Sequence, residues 1–349
     1  MSSFYPLSIS KIENQTPNAI SLSFEVPENL KETFRFEAGQ YLNIKYLSEG
    51  KEMRRSYSLC SAAHSNQWEI GIKKIPQGNF SVYANEVLKE GDILEVMPPQ
   101  GHFVLKTDAY HQNNYLAFVA GSGITPVLSM IKTVLNEEPL STFTLVYGNQ
   151  SIAETMFYEE LETLKKQYPE RLFITYFFSR ESVEGCFFGR IEKSMVNYLF
   201  KHPFKDQSFH SYFLCGPEEM IHEVKDTLLA HNISEETIHF ELFTTKDEGQ
   251  LTEVHDGQTQ ITILLDDETT TFVMPQNKSV LEAALEQKLD APYSCQGGIC
   301  STCIARVKEG KVEMRKNQIL TDGEVAEGLV LTCQSHPTTS TLVIDYDDV

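Results

Sequence analysis

The sequence predicts a multi-domain chain: an antiparallel β-barrel, then an α/β domain on a parallel sheet, then a small C-terminal α+β domain. Three observations point there. Short alternating segments broken by Pro, Gly and Asn fill residues 1 to about 107, strands alternate with helices from about 112 to 243, and a polar, Gly-containing stretch at 244–258 precedes a second run of short strands around one helix. The expected domains are therefore 1–110, 111–243 and 259–349, with 244–258 as a flexible linker. At 349 residues, 41% of them apolar, the chain can build several cores.

In the barrel, strands are expected at 5–12, 19–26, 41–46, 55–61, 68–75 and 93–97, with one helix at 82–88. Arg55-Ser56-Tyr57-Ser58 lies on one of these strands, and Gly78-Asn79-Phe80-Ser81 opens the helical stretch. A flavin needs a flat aromatic face, a hydroxyl near N5 and a cation for its pyrophosphate. Tyr57, Ser58 and Arg55 offer these on one strand, and a helix N-terminus offers N–H groups to phosphate. Arg and Tyr also alternate on plain strands, so the order of motifs matters. R-x-Y-S, then I-x-I-K at 70–73, then G-x-x-S at 78–81 resembles the FAD-binding barrel of the ferredoxin-NADP reductase family. The resemblance implies FAD, with Tyr57 packed on the isoalloxazine, Ser58 at N5, Arg55 and Ser81 at the pyrophosphate, and Ser56, Ile72, Lys73, Gly78, Asn79 and Phe80 completing the site. Cys60 reads as a small buried residue.

In the second domain, strands are expected at 115–120, 143–147, 172–178, 212–214 and 237–243, and helices at 126–135, 155–168, 191–200 and 218–231. Such alternation implies a parallel sheet covered on both faces, with ligand at the carboxyl ends of the strands. Gly121-Ser122-Gly123-Ile124-Thr125-Pro126 follows the first strand and opens the first helix, placing N–H groups and a positive dipole end where a dinucleotide pyrophosphate would sit. Glycines also mark ordinary turns. Cys215-Gly216-Pro217-Glu218-Glu219-Met220 makes a second strand-to-helix junction, and G-x-G-I-T-P with C-G-P-x-x-M resembles the nicotinamide-binding domain of the same family. By that likeness Thr125 lies between FAD and nucleotide, Cys215 lies near the nicotinamide, and Glu241-Leu242-Phe243 borders the flavin. Ser58, Cys215 and Glu241 are the candidate catalytic residues, with no covalent step assigned to the thiol. Ser179 and Arg180 end the third strand and Arg190 follows; a hydroxyl and guanidinium there suit a 2′-phosphate, so NADPH is expected over NADH despite Glu181 and Glu184 nearby.

The last domain is organised around Cys295, Cys300, Cys303 and Cys333, a C-x4-C-x2-C…C spacing that matches plant-type 2Fe-2S ligation. Three thiolates converge from one loop while the fourth arrives from a distant strand, whereas structural zinc shows two similar pairs. Gly297 and Gly298 let the loop turn, and small side chains at Gly298 and Ser301 let N–H groups face the sulfides. Around the loop, two strands within 260–273 flank an Asp266-Asp267-Glu268 turn, and Ser279-x-x-Glu282 caps a helix. A hairpin is expected from 302–307 and 311–314 about Glu309-Gly310, with further strands at 329–332 and 341–346. The pattern resembles the β-grasp fold of plant-type ferredoxins.

Four cysteines given to iron leave Cys60, Cys186 and Cys215, an odd remainder suited to a reducing compartment. A formal charge of −20 opposes nucleic-acid binding. Between Thr245 and Val349 stand 18 acidic and 8 basic side chains, a net −10, which suits either docking of a basic partner or simple solubility. No apolar run reaches the length of a membrane span, and Met1-Ser2-Ser3-Phe4-Tyr5-Pro6 has no secretory leader pattern, so a cytoplasmic protein without membrane insertion is expected.

A nicotinamide surrenders two electrons together as hydride, a 2Fe-2S cluster takes one, and a flavin exchanges either. The three sites therefore imply a path from nucleotide to FAD to cluster to a partner. The domain order resembles the reductase components of multicomponent oxygenases, which implies a terminal oxygenase, hydroxylase or desaturase as acceptor. The alternatives are a non-enzymatic iron-sulfur carrier and a reductase acting directly on oxygen, haem or a small molecule.

Overall fold

The computed structural model describes residues 4–48, 50–243 and 257–349. The predicted linker lies outside them except Gly257 and Gln258, and Gln258 already begins a strand. The chain forms two compact units: Tyr5–Met53 with Tyr57–Phe243, and the C-terminal residues with Phe4 and Arg54–Ser56.

The barrel comprises β1 (Tyr5–Thr16), β2 (Ala19–Glu25), β3 (Tyr41–Ser48), β4 (Lys51–Ser58), β5 (Trp68–Lys73), α1 (Asn79–Glu86) and β6 (Ile93–Val96). Strand order is β4-β3-β6-β1-β2-β5, and a bridge between Leu59 and Ile70 joins the two ends. Closure removes the exposed edges an open sheet would leave. Alternation drives it: Leu7 and Ile9, Ile20, Leu22 and Phe24, Leu42 and Ile44, and Ile70 and Ile72 all turn inward. Trp68 plugs the core and donates its indole N–H to Phe34 O at 2.6 Å.

The α/β part runs β7 (Asn114–Ala120), α2 (Ile124–Glu137), β8 (Thr142–Asn149), α3 (Tyr158–Gln167), β9 (Leu172–Phe178), β10 (Phe187–Phe188), α4 (Lys193–Lys201), β11 (Ser211–Gly216), α5 (Glu218–Ala230) and β12 (Ile238–Leu242). The sheet is parallel throughout, in the order β10-β9-β8-β7-β11-β12. The chain builds outward from β7 on one side, then returns to place β11 on the other. That reversal opens a crevice at the carboxyl ends of β7 and β11. Helix α3 begins three residues later than expected, because Phe157 takes a left-handed φ of 59° and no helix passes through it. The two-residue β10 carries too little periodicity to be foreseen.

The C-terminal unit contains β13 (Gln258–Leu265), β14 (Glu268–Pro275), α6 (Val280–Glu286), β15 (Ile304–Glu309), β16 (Val312–Met314), α7 (Asp322–Ala326), β17 (Leu329–Leu331), β18 (Ser335–Pro337) and β19 (Thr341–Asp345). Five strands order as β14-β13-β19-β15-β17, with β13 and β19 parallel, and α6 packs Val280, Leu281, Ala283 and Ala284 into their core. This is the expected β-grasp arrangement. Asp266 and Asp267, at φ 55° and 61°, form the two-residue turn of the first hairpin. The expected second hairpin does not form. Both edges of β15 are occupied, by β19 and β17, so β16 leaves the sheet at Gly310 and pairs with β18. Helix α7 is an addition to the expected elements, although Thr321 and Glu324 close a full capping box on it.

Candidate functional site

The nucleotide crevice is built by close backbone approach. A Cβ on Gly123 would stand 2.4 Å from the Cys215 carbonyl oxygen, and one on Gly216 would stand 2.8 Å from Met220 Cε. The two glycine motifs therefore pack directly on each other at the ends of β7 and β11. Gly121, at φ 57°, begins a 3-10 turn that runs into α2, and Thr125 donates its hydroxyl to Ser122 O at 3.1 Å. Pro126 occupies the third position of α2, where its missing N–H costs nothing, and Pro217 precedes the first residue of α5. Two helix N-termini thus face one crevice, a ready anion site.

The barrel reaches the same place. A Cβ on Gly71 of β5 would stand 2.6 Å from Thr125 Cγ2, and one on Gly121 would meet only Lys73 Nζ, at 4.0 Å. Lys73 therefore stands at the mouth of the glycine loop. Ser58 donates to Glu241 Oε2 at 3.4 Å, and Glu241 is the register partner of Cys215 across β11 and β12. The three residues expected to be catalytic, from distant parts of the chain, thus lie together. Glu241 is only 7% exposed, and burial pushes its carboxyl up to about 8 while the Ser58 hydroxyl pulls it down. At neutral pH it is an acid rather than a carboxylate. Cys215 is fully buried, which drives its thiol well above the usual range, with the nearby Glu241 adding to the shift. It is therefore no thiolate nucleophile.

The expected flavin residues are less concentrated. Tyr57 and Phe80 have ring centroids 5.6 Å apart, and Ser81 accepts the Ile75 N–H at 3.2 Å, close beneath Gly78 at the start of α1. Asn79 is the first residue of that helix. Ile72 and Phe80 turn into the barrel core. Arg55 and Ser56 belong to the C-terminal unit, where Arg55 donates to Arg54 O at 2.7 Å and the Ser56 and Ser294 hydroxyls lie 2.5 Å apart.

At the end of β9, Ser179 and Arg180 donate their backbone N–H groups to Asn149 O and Gln150 O. Gly189 N–H bonds Phe178 O, and β10 pairs in parallel with Phe188 opposite Phe178. Arg180 and Arg190 each stand two residues beyond the end of one of these paired strands. Both arginines are exposed, and the Glu181 carboxylate accepts from Ile152 N–H at 2.9 Å.

In the C-terminal unit the four thiols form one hydrogen-bonded group. Bonds from Cys300 and Cys333 hold Cys295 far below the ordinary thiol range, the Gly297 N–H adding to them at 3.3 Å, and Cys303 is lowered by Cys333. Cys300 and Cys333, as donors, are raised. Among the described residues no three metal-binding side chains gather round one point. The four sulfurs are linked in one chain, Cys300 to Cys295 to Cys333 to Cys303, a gathered thiol set that would suit a 2Fe-2S cluster held by four thiolates. The loop depends on Gly298, at φ 72°, where a Cβ would stand 2.7 Å from Lys316 O. We expect Gly298→Ala to lower cluster content severalfold at equal protein yield, read as iron and sulfide per chain, because the strained φ and the backbone clash add.

Comparison with known proteins agrees. Residues 6–105 match an oxidoreductase FAD-binding domain, 118–226 an oxidoreductase NAD-binding domain and 263–338 a 2Fe-2S iron-sulfur cluster binding domain. Fold and sites together define an NAD(P)H-dependent oxidoreductase that uses FAD and a 2Fe-2S cluster. The chain belongs to a family that includes one component of the 1,2-phenylacetyl-CoA epoxidase of Escherichia coli (strain K12), with which it is 40% identical over 352 residues, 99% of each chain. It is 30% identical over 360 residues to the 3-ketosteroid-9-alpha-monooxygenase ferredoxin reductase component of Rhodococcus rhodochrous, covering 97% of this chain and 96% of that one. Among solved structures, phthalate dioxygenase reductase matches with a TM-score of 0.61 at 25% identity, over 98% of both chains. An intact self-sufficient cytochrome P450 monooxygenase shares the fold with a TM-score of 0.73 at 22% identity; the chain spans 42% of its length.

Proposed function

We propose that this protein is the reductase component of a multicomponent oxygenase, passing electrons from NADPH through FAD and the 2Fe-2S cluster to a separate oxygenase. The observation that carries it is the combination, in one chain, of a nucleotide crevice shared with the barrel and a four-thiol loop. The end-to-end likeness to a component of the phenylacetyl-CoA epoxidase makes an oxygenase acting on an aromatic acyl-CoA the first acceptor to test. The chain divides into domains 1–110, 111–243 and 259–349. Tyr57, Ser81 and Lys73 hold FAD, the Gly121 and Gly216 loops hold the nucleotide, Ser58, Glu241 and Cys215 line the hydride path, and Cys295, Cys300, Cys303 and Cys333 hold the cluster. Its place is the cytoplasm, where reducing conditions keep ligand thiols free. No helix among the described residues is long and apolar enough to cross a membrane.

The deciding experiment mixes the purified protein with the oxygenase components of the phenylacetyl-CoA epoxidase. NADPH should bleach both flavin and cluster absorption, and substrate-dependent NADPH oxidation should rise at least about tenfold over the reductase alone, as expected when a partner opens the only fast exit for single electrons. A chain without flavin colour, or full turnover without the oxygenase, defeats the proposal.

NADPH preference is supported by Ser179 and Arg180 just after β9 and the exposed Arg190 just after β10, while Glu181 is engaged with Ile152 N–H. Arg180→Ala should raise the KM for NADPH by about 10-fold or more and that for NADH by less than about threefold, the difference expected of one charge-assisted phosphate contact. Equal effects on the two would remove the 2′-phosphate assignment.

A further inference from the structure

We propose that Tyr147 is a positioning residue for the nucleotide: its buried hydroxyl anchors the glycine loop so that the loop's N–H groups face the pyrophosphate. Tyr147 lies on β8, outside every motif so far discussed, and its side chain is wholly buried. Its hydroxyl lies 3.0 Å from Gly121 O and 3.3 Å from Met156 O. These carbonyls belong to two uncommon pieces of backbone. Gly121 takes a φ of 57°, and Met156 precedes Phe157, a bulky residue at φ 59°. The single phenolic proton is thus shared between two carbonyls, nearer to Gly121 O, each at or next to a left-handed residue.

The consequence follows from peptide geometry. In a trans peptide the carbonyl and the following N–H point in opposite directions, so holding the Gly121 carbonyl inward turns the Ser122 N–H outward. The Gly121 oxygen also accepts from Ile124 N–H within the turn. That bond sets the shape of the turn but cannot fix its orientation against the sheet. Tyr147, rooted in the neighbouring strand, uses the second lone pair and does fix it. Met156 and Phe157 also pack on Gly71: a Cβ there would stand 3.0 Å from Met156 Cε and 3.2 Å from Phe157 Cε2. The same hydroxyl therefore ties the glycine loop to the segment that meets the barrel. Burial raises the phenol far above its usual range, so it remains a donor at every working pH.

This inference rests on the reading of Gly121-Ser122-Gly123 as the pyrophosphate loop, and two variants separate the two. Tyr147→Phe removes only the hydroxyl. It should raise the KM for NADPH in ferricyanide reduction by about fivefold to tenfold, the range for one lost hydrogen bond, with kcat within about twofold and FAD content unchanged. Gly121→Asp places a carboxylate where the phosphate would sit. Asp tolerates a left-handed φ, and the space is open but for Lys73 Nζ at 4.0 Å. It should raise the same KM by about 50-fold or more, since like charges would meet at the mouth of the loop. If Gly121→Asp leaves the KM unchanged, the loop is not the phosphate site and the underlying reading falls. A raised KM in Gly121→Asp with an unchanged one in Tyr147→Phe overturns the anchoring role alone. So does a Tyr147→Phe protein that loses FAD, or in which kcat falls while KM holds, because the phenol would then serve the fold rather than the nucleotide.

Discussion

Cys300→Ser is expected to abolish reduction of one-electron protein acceptors, by at least about 10³-fold, while NADPH-driven ferricyanide reduction stays within about twofold of the parent. The magnitude follows from the serial path: a cluster is held by four thiolates, and Cys300 lies in direct hydrogen-bonding contact with Cys295 inside the group. Serine offers a poorer ligand at neutral pH, so the centre is lost or crippled. Ferricyanide draws directly from flavin, and Tyr57, Ser58 and Ser81, the residues proposed to meet the flavin, lie in the other compact unit, to which Cys300 does not belong. Measurement of both activities on one preparation, with iron content and the low-temperature EPR signal of the reduced protein, decides the matter. Parallel loss of both activities at unchanged FAD content would show that the cluster is not downstream of the flavin.

The second large effect concerns Glu241. With its carboxyl near 8 it is protonated at pH 7 and loses its proton as pH rises through about 8. An acid whose folded value exceeds its unfolded 4.5 binds more protons folded than unfolded between those two values. The contribution of Glu241 to stability is therefore full below about 4.5 and is lost progressively up to about 8. A melting temperature followed from about pH 5 to about pH 9 should show this alkaline decline, and Glu241→Gln, with no proton to lose, should flatten it.

The rate should move with the same group. Hydride transfer from NADPH, followed by flavin bleaching in single turnover, should fall above about pH 8 in the parent. In Glu241→Gln it should drop by about 10²-fold, the usual scale for a positioned acid, and lose the inflection. Ser58 lowers the Glu241 value through its hydrogen bond. Ser58→Ala should accordingly shift the inflection to higher pH, whereas a shift to lower pH would contradict the pairing.

Much of this is legible along the chain. The cysteine spacing points to four candidate ligands, and their sulfurs lie in one hydrogen-bonded group. Alternation with period two marks the barrel strands to within a few residues, because inward and outward side chains differ in polarity whatever the register. The G-x-G and C-G-P junctions do fall at strand ends, since a strand-to-helix turn with close backbone approach leaves few choices besides glycine. Less legible are features set by partners distant in sequence. The displaced strand β16 is one: its local pattern suits a hairpin, and only the occupied edges of β15 forbid it. The two-residue strand β10 is another, because only its parallel pairing with β9 sets Phe187 and Phe188 opposite Phe177 and Phe178.

The amino-acid sequence by itself determined which chemistry the protein commands, a 2Fe-2S cluster, a nicotinamide dinucleotide and FAD, through the signals of a four-thiol spacing, two glycine junctions and one aromatic and hydroxyl strand. Such signals are local, written in residue type and spacing, and survive without any knowledge of the fold. Only the tertiary structure decided how those groups are tuned. Glu241 becomes an acid because folding closes its site to water, which outweighs the opposing pull of its hydrogen bond from Ser58, 183 residues away. Tyr147 becomes an anchor because the strand beside the glycine loop aims its hydroxyl at Gly121. Burial and hydrogen-bond partnership are properties of the neighbourhood, and the neighbourhood exists only once the chain has folded.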